Sequence, residues 1–492
     1  MSNQVSEQEK STSADDQDPS STGPGPTQTV ANFVAASRFD TLPDSVVDRT
    51  KYLVLDGLAC GLVGAQLPWS RVAAEALIDL EGHGPATVWG WDQGTTPSTA
   101  ALINGTFVQG FELDDYHEFG PLHSESIILP AAMATAQKIG GVSGSDLLVA
   151  AAMGFEFGPR LGIVMDGHDL IAQGWHCGVI YGSIAAALTT ARLRGLDAEH
   201  TSSGMGLAAT QASGLMAAQF EAMVKRMNHA FAGRAGVVAG ALAERGFTGI
   251  KDSLERDYGG LVPTFTHKPN SELDYSALTN DLGQDWELMR ILVKPYASGG
   301  TTHPGVDAML HLRNDLGVTA NDIESIRIRL PIHSFRHYGW KISRPTTNIG
   351  AQMNLCFVCA LTLLDGKASI GQFTNTRIAA DDAWDLVDRI STEHDPEMDK
   401  IAVETKTPRA TGFTVKLKDG TTHEFMQLSA SGKGDLILTN EQIGAKYDEL
   451  MSHAVTDDRA AAIKDAVLNL EKMTDVAELA ALLAPVSRRV ID

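Results

Sequence analysis

The sequence has little cysteine, little positive charge, few aromatic residues and no long apolar run. Four cysteines in 492 residues, Cys60, Cys177, Cys356 and Cys359, are too few for a disulfide scaffold. With no apolar leader at the N-terminus, they point to a reducing, cytoplasmic setting. Lys and Arg number 39 against 61 Asp and Glu, a net charge of −22, and basic residues nowhere form a block. This charge argues against nucleic acid and anionic membranes as partners. The longest apolar stretches, such as Leu147 to Met153 and Ile184 to Leu188, fall short of the ~18 residues of a bilayer span. Motifs of the HExxH kind are absent, and Cys356 and Cys359, three apart in an apolar stretch, read as a helix core face. No metal site is expected.

What is present is mostly helix with small residues. Residues 1–28 are acidic, rich in Ser, Thr, Gln and Pro, and free of aromatics, which predicts a disordered tail too acidic for a transit peptide. From about Val30 the pattern is helical. Gly57, Gly61 and Gly64 recur at helical spacing, as do small residues after Gly182, so 29–284 reads as a bundle of closely approaching helices. Thr96-Pro97, and less clearly Leu42-Pro43, mark helix starts. The texture then changes. Ser325 to Leu330 alternates apolar and charged residues, and Gly412 to Leu417 precedes an Asp419-Gly420 turn and a second strand. With a helix from about Asn348 to Leu364, residues 285–434 read as a smaller α+β domain. Residues 435–492 are helical again and are expected to return to the first bundle.

Gly204-Met205-Gly206-Leu207-Ala208-Ala209 matches a dinucleotide fingerprint, but no buried strand precedes it, so it is set aside. The informative stretch runs from Phe111 to Ser126. Glu112, Asp114 and Asp115 end an apolar helix stripe, where three carboxylates oppose the helix dipole and so point to a functional reason. His117 and His123 follow, in a loop with Gly120 and Pro121. Their neighbouring carboxylates are expected to favour imidazolium and so make proton carriers. Gly174-Trp175-His176-Cys177-Gly178 opens a small-residue helix running on to Ala191, and its N-terminal N–H groups are expected to attract an anion and depress the His176 pKa. Lys225, Arg226 and His229 form a cation cluster suited to carboxylates, with Lys225 and His229 on one helix face. Lys294 to His303 leads through Gly299 and Gly300 into a helix near Thr302, a candidate anion nest.

In this order and spacing the four stretches DDYH…LHS, GWHCG, VKRMNHA and KPYASGGTTH resemble the MmgE/PrpD family, which includes 2-methylcitrate dehydratases and cis-aconitate decarboxylases. The resemblance runs from about Val30 to the C-terminal helices, and the wording is closest to the fungal cis-aconitate decarboxylases. It implies a cofactor-independent lyase: a helical domain, an α+β lid, an active site between them, and a homodimer. It places the catalytic histidines at His123 and His176, and the lysine at Lys225. Glu112, Asp114, Asp115, Tyr116, Arg226, His229, Lys294 and His303 are the expected substrate-binding set. Glu112 and Tyr116 stand where mammalian decarboxylases have Asp and Thr, and the family's lid histidine falls on Gly299, leaving His303 as the nearest imidazole. The implied reaction is decarboxylation of a tricarboxylate, cis-aconitate, to itaconate. Dehydration of 2-methylcitrate or a related alkylcitrate uses the same residue types and stays open, as does a non-catalytic binding protein that keeps the fold.

Overall fold

The computed structural model describes residues 23–405, 407–428, 430–431 and 437–491. Small side chains determine how the helical part packs. Along helix Asp44–Gly64, a Cβ at Gly64 would lie 1.8 Å from the Phe107 carbonyl oxygen, so only hydrogen fits there. Helices Pro97–Val108, Glu125–Ile139, Gly182–Leu193 and Asn228–Glu244 pack on one another as the centre of the bundle, with Gly144–Val164 against Gly182–Leu193. Among the described residues, Gly144–Val164 is the one unbroken helix long and apolar enough to cross a membrane, and most of it is buried inside the protein. Its Glu156 and Arg160 pair internally at 2.5 Å.

Helix starts follow the expected chemistry with shifts. Thr96 and Pro97 take the N-cap and N1 positions of Pro97–Val108, while Pro43 is itself the N-cap of Asp44–Gly64. Pro26 opens helix Pro26–Ala36, so helix begins inside the stretch expected to be a tail. The rest of that expectation, residues 1–22, lies outside the described residues.

The α+β part is built on a four-stranded sheet. Its order is Ile390–His394, Ile323–Leu330, Thr411–Leu417, Thr422–Gln427; the first pair is parallel and the others antiparallel. Ile326, Ile328 and Leu330 are buried while Arg327 is exposed, the alternation of a sheet covered on one face. Helices His303–Asn314 and Leu355–Asp365 pack on each other and against this sheet. The single helix expected from Asn348 to Leu364 is instead two, Asn348–Gln352 and Leu355–Asp365. Asn354 leaves helical backbone and caps the second by accepting the Phe357 N–H at 3.0 Å.

Two long-range connections join the parts. Helix Asn440–Ala454 packs along Asp44–Gly64, and its Lys446 donates to Asp56 at 2.8 Å and to the Leu113 carbonyl. Strand Asp115–Tyr116 pairs antiparallel with Leu292–Val293, Asp115 opposite Val293 and Tyr116 opposite Leu292. That register brings Lys294 beside the carboxylates that precede Asp115.

Candidate active site

Helix Pro97–Val108 ends in a tight turn, Gln109–Phe111, and Glu112 caps it in the left-handed region at φ 58. A non-glycine residue there is strained and must be held by its surroundings. Two ammonium groups hold it. Lys225 Nζ bonds one carboxylate oxygen, and Lys294 Nζ lies 3.3 Å from the other. Lys294 also reaches Asp114 Oδ1 at 3.1 Å and His123 Nδ1 at 3.3 Å. Burial alone would raise both carboxyls, but Lys225 and Lys294 hold Glu112 well below the usual range, and Lys294 and His123 lower Asp114. The three carboxylates therefore do not form a solvated helix end. Glu112 and Asp114 are counter-ions.

Asp115 has a different task. It accepts the Ser124 and Glu125 N–H groups at 2.8 and 2.9 Å, fixing the end of the 117–123 loop, and burial beside Asp114 pushes its pKa up to about 8. His117 is likewise structural: Nε2 meets Glu287 at 3.1 Å and Nδ1 accepts the Gly120 N–H at 3.0 Å.

Three histidines from separate segments meet beside the lysines. The His229 ring lies 4.6 Å from both His123 and His176, centroid to centroid. Gly178 makes the room, since a Cβ there would lie 2.3 Å from His229 Cδ2 and Nε2. The helix expected to run from His176 to Ala191 breaks at Tyr181, and His176 caps a single turn, Cys177–Ile180. Lys225 sits in a 3-10 turn ahead of helix Asn228–Glu244, yet it and His229 still face one space.

The three clustered imidazoles are depressed, which for His123 is opposite to the expectation. Burial and then Lys294 lower His123, with Asp114 opposing. Burial and Lys225 take His176 to about 3, so burial, not a helix terminus, is the main cause, and burial puts His229 well below its ordinary value. His123 keeps 22% of its side chain accessible, whereas His176 and His229 are 6% and 1% exposed. Of these three, His123 is the imidazole a ligand can reach.

These groups line a cavity of about 460 Å³, a size suited to a small molecule. Glu112, Tyr116, His123, His176, Lys225, His229 and Lys294 reach it. Four expected site residues do not line it. Arg226 stacks over Trp69 at 4.5 Å and donates to Gln352 Oε1 at 2.7 Å. His303 is buried behind Tyr116, its Nε2 3.2 Å from the Ser298 carbonyl oxygen. Asp114 and Asp115 stand behind the lining. The candidate nest is partly used internally, since the Gly299 N–H donates to the Gln352 carbonyl. Sequence reasoning missed His168, His337, Tyr338 and Arg409, which also line the cavity. A Cβ at Gly299 would lie 2.3 Å from Tyr338 Cε1, so the Tyr338 ring fills the place a side chain at 299 would take.

Among the described residues, the one group placed like metal ligands is Asp56, Cys60 and Glu125, all buried and outside the cavity lining. The Lys446 ammonium, 2.8 Å from Asp56, already supplies positive charge there.

Comparison with known proteins gives the family. The MmgE/PrpD N-terminal domain matches residues 28–273 and the MmgE/PrpD C-terminal domain matches 296–472. The chain belongs to the MmgE/PrpD family. The cis-aconitate decarboxylase-like protein oryM of Aspergillus oryzae is 39% identical over 475 residues, covering 93% of this chain and 97% of its own. The cis-aconitate decarboxylase of Aspergillus terreus is 36% identical over 474 residues, covering 93% and 96%. The human cis-aconitate decarboxylase is 24% identical over 475 residues, covering 93% and 94%. Within this MmgE/PrpD chain, the 440–454 helix falls in the matched C-terminal domain but packs on the N-terminal one.

Proposed function

We propose that this chain decarboxylates cis-aconitate to itaconate in the cavity of His123, Lys225 and Lys294. The observation that carries the reading is the accessible imidazole of the three-histidine cluster, His123, held by Asp114 beside Lys294 on a wall that also has Lys225. The names of the Aspergillus relatives support it. The trianion takes up one proton and leaves as the itaconate dianion and CO2. The C–C bond to the departing carboxylate breaks, its electron pair shifts through the allylic system, and negative charge develops on the carbon next to another carboxylate. Lys225, with its ammonium already in place, stabilises that dienolate-like charge. His123, charged once the substrate's negative groups surround it, protonates the carbon. Asp114, bonded at Nδ1, leaves Nε2 for that transfer.

A second reading, dehydration of 2-methylcitrate or a longer alkylcitrate, is favoured by one observation. The cavity lining includes Ile171, Met216, Ile332 and Val403, apolar surface that an alkyl substituent could cover. Incubation with each acid separates the readings. CO2 from cis-aconitate, lost in His123→Ala and Lys225→Ala, supports decarboxylation; an unsaturated tricarboxylate from the alkylcitrate with no CO2 supports dehydration.

A further inference from the structure

The cations that the motifs lead to are already neutralised. Glu112 and Asp114 bring two negative charges to the wall where Lys225 and Lys294 bring two positive ones, and burial holds the three imidazoles toward their neutral forms. A trianion entering the cavity meets no net charge on that wall. One more lining cation remains. Arg409, just ahead of strand Thr411–Leu417 in the α+β part, places its guanidinium carbon 4.6 Å over the Tyr116 ring. Its polar neighbour is the Tyr116 side chain, no carboxylate of a described residue pairs with it, and its Nη1 is buried without a well-formed hydrogen bond. An unsatisfied buried guanidinium nitrogen is costly unless a ligand completes it. Its place over the Tyr116 ring holds the guanidinium at the cavity wall, where its fork suits a carboxylate gripped by two N–H groups.

We propose that Arg409 is a substrate-binding residue that receives one carboxylate of the tricarboxylate, while the Lys225 and Lys294 wall receives the others. The α+β part then contributes through Arg409 as well as through Tyr338, and Tyr116 acts as the platform that orients the guanidinium. The assignment rests on the tricarboxylate reading of the cavity but not on the bond that breaks, because dehydration would need the same anchor.

The test is binding of three saturated acids to the full chain by calorimetry: tricarballylate, glutarate, which lacks its central carboxylate, and methylsuccinate, which lacks a terminal one. Arg409→Gln should weaken tricarballylate by about tenfold or more, the value of a charge-assisted pair. It should leave the dicarboxylate that lacks the Arg-bound group within about twofold. Arg409→Lys should recover only part of the loss, since an ammonium keeps charge but not the stacked fork. With cis-aconitate, KM should rise more than kcat falls. Equal loss for all three acids, or an unchanged tricarballylate affinity, overturns the assignment. Wild-type protein that binds none of the three removes the tricarboxylate reading and Arg409's role together. Loss on Arg409→Gln without any CO2 from cis-aconitate keeps Arg409 and removes decarboxylation alone.

Discussion

Lys294 Nζ donates to Asp114 Oδ1 at 3.1 Å across 180 positions of chain, and both groups are almost wholly buried. The strand pairing of Asp115–Tyr116 with Leu292–Val293 makes this meeting possible, and the pair couples the two parts of the fold to the site's charge balance. Lys294→Met should leave Asp114 without its ammonium partner and cost about 3–5 kcal/mol, read as a lower denaturant midpoint. Lys294→Met with Asp114→Leu should regain part of that stability but not activity, because His123 then has neither brace. A single variant as stable as wild type would show that the pair is not structural.

The pH dependence follows from the depressed imidazole. If His123⁺ donates the proton, kcat/KM should fall as pH rises past the free-enzyme pKa, and burial and Lys294 put that pKa below 6.5. kcat should hold to higher pH, since the bound trianion favours imidazolium. Asp114 raises the His123 pKa, so Asp114→Asn should move the kcat/KM limb to lower pH. A limb unmoved by Asp114→Asn would exclude His123 as the donor.

Space at Gly299 is taken by the Tyr338 ring. Gly299→His should displace the Tyr338 ring and lower kcat/KM by about tenfold or more, the usual scale for a misplaced group. Adding Tyr338→Ala should recover part of the loss by clearing the clash. Steady-state kinetics of both variants decides this, and an unchanged kcat/KM in the single variant would mean that the ring's place is unimportant.

Two other glycines make opposite predictions. Gly178→Ala should push His229 out of the imidazole group, lowering activity and costing about 1–3 kcal/mol as overpacking does. Gly204 lies within helix Ala198–Ala209, where a Cβ would meet only Ala243 at 3.8 Å. Gly204→Ala should leave turnover unchanged and stabilise by up to about 1 kcal/mol. Thermal melts and initial rates of the two variants make the comparison. Lost turnover in Gly204→Ala would reopen the dinucleotide fingerprint.

The residues legible in the sequence were those in local motifs. His123, His176, Lys225, His229 and Lys294 each sit in a compact pattern, and all five meet in one cavity. Arg409 and Tyr338 were not legible, because each is a single residue whose meaning comes only from the partner it faces, Tyr116 in one case and Gly299 in the other. Arg226 was misplaced because sequence shows a cation's neighbours in chain and not its stack on Trp69. The sign of the His123 shift was misread for the same reason: nearby carboxylates are visible in a sequence, but burial and a lysine 171 positions away are not. In the fold, strand Ile390–His394 escaped notice because Ser, Thr and Glu fill it and only Ile390 is buried, and the break at Asn354 hid inside an apolar run.

The central claim is that a carbon-bound proton replaces a departing carboxylate. The most direct test is proton NMR of cis-aconitate with the wild-type protein in D2O. The account predicts itaconate carrying one deuterium on its saturated methylene, formed in step with CO2. Hydrated citrate-type products, or cis-aconitate that persists without releasing CO2, would contradict it.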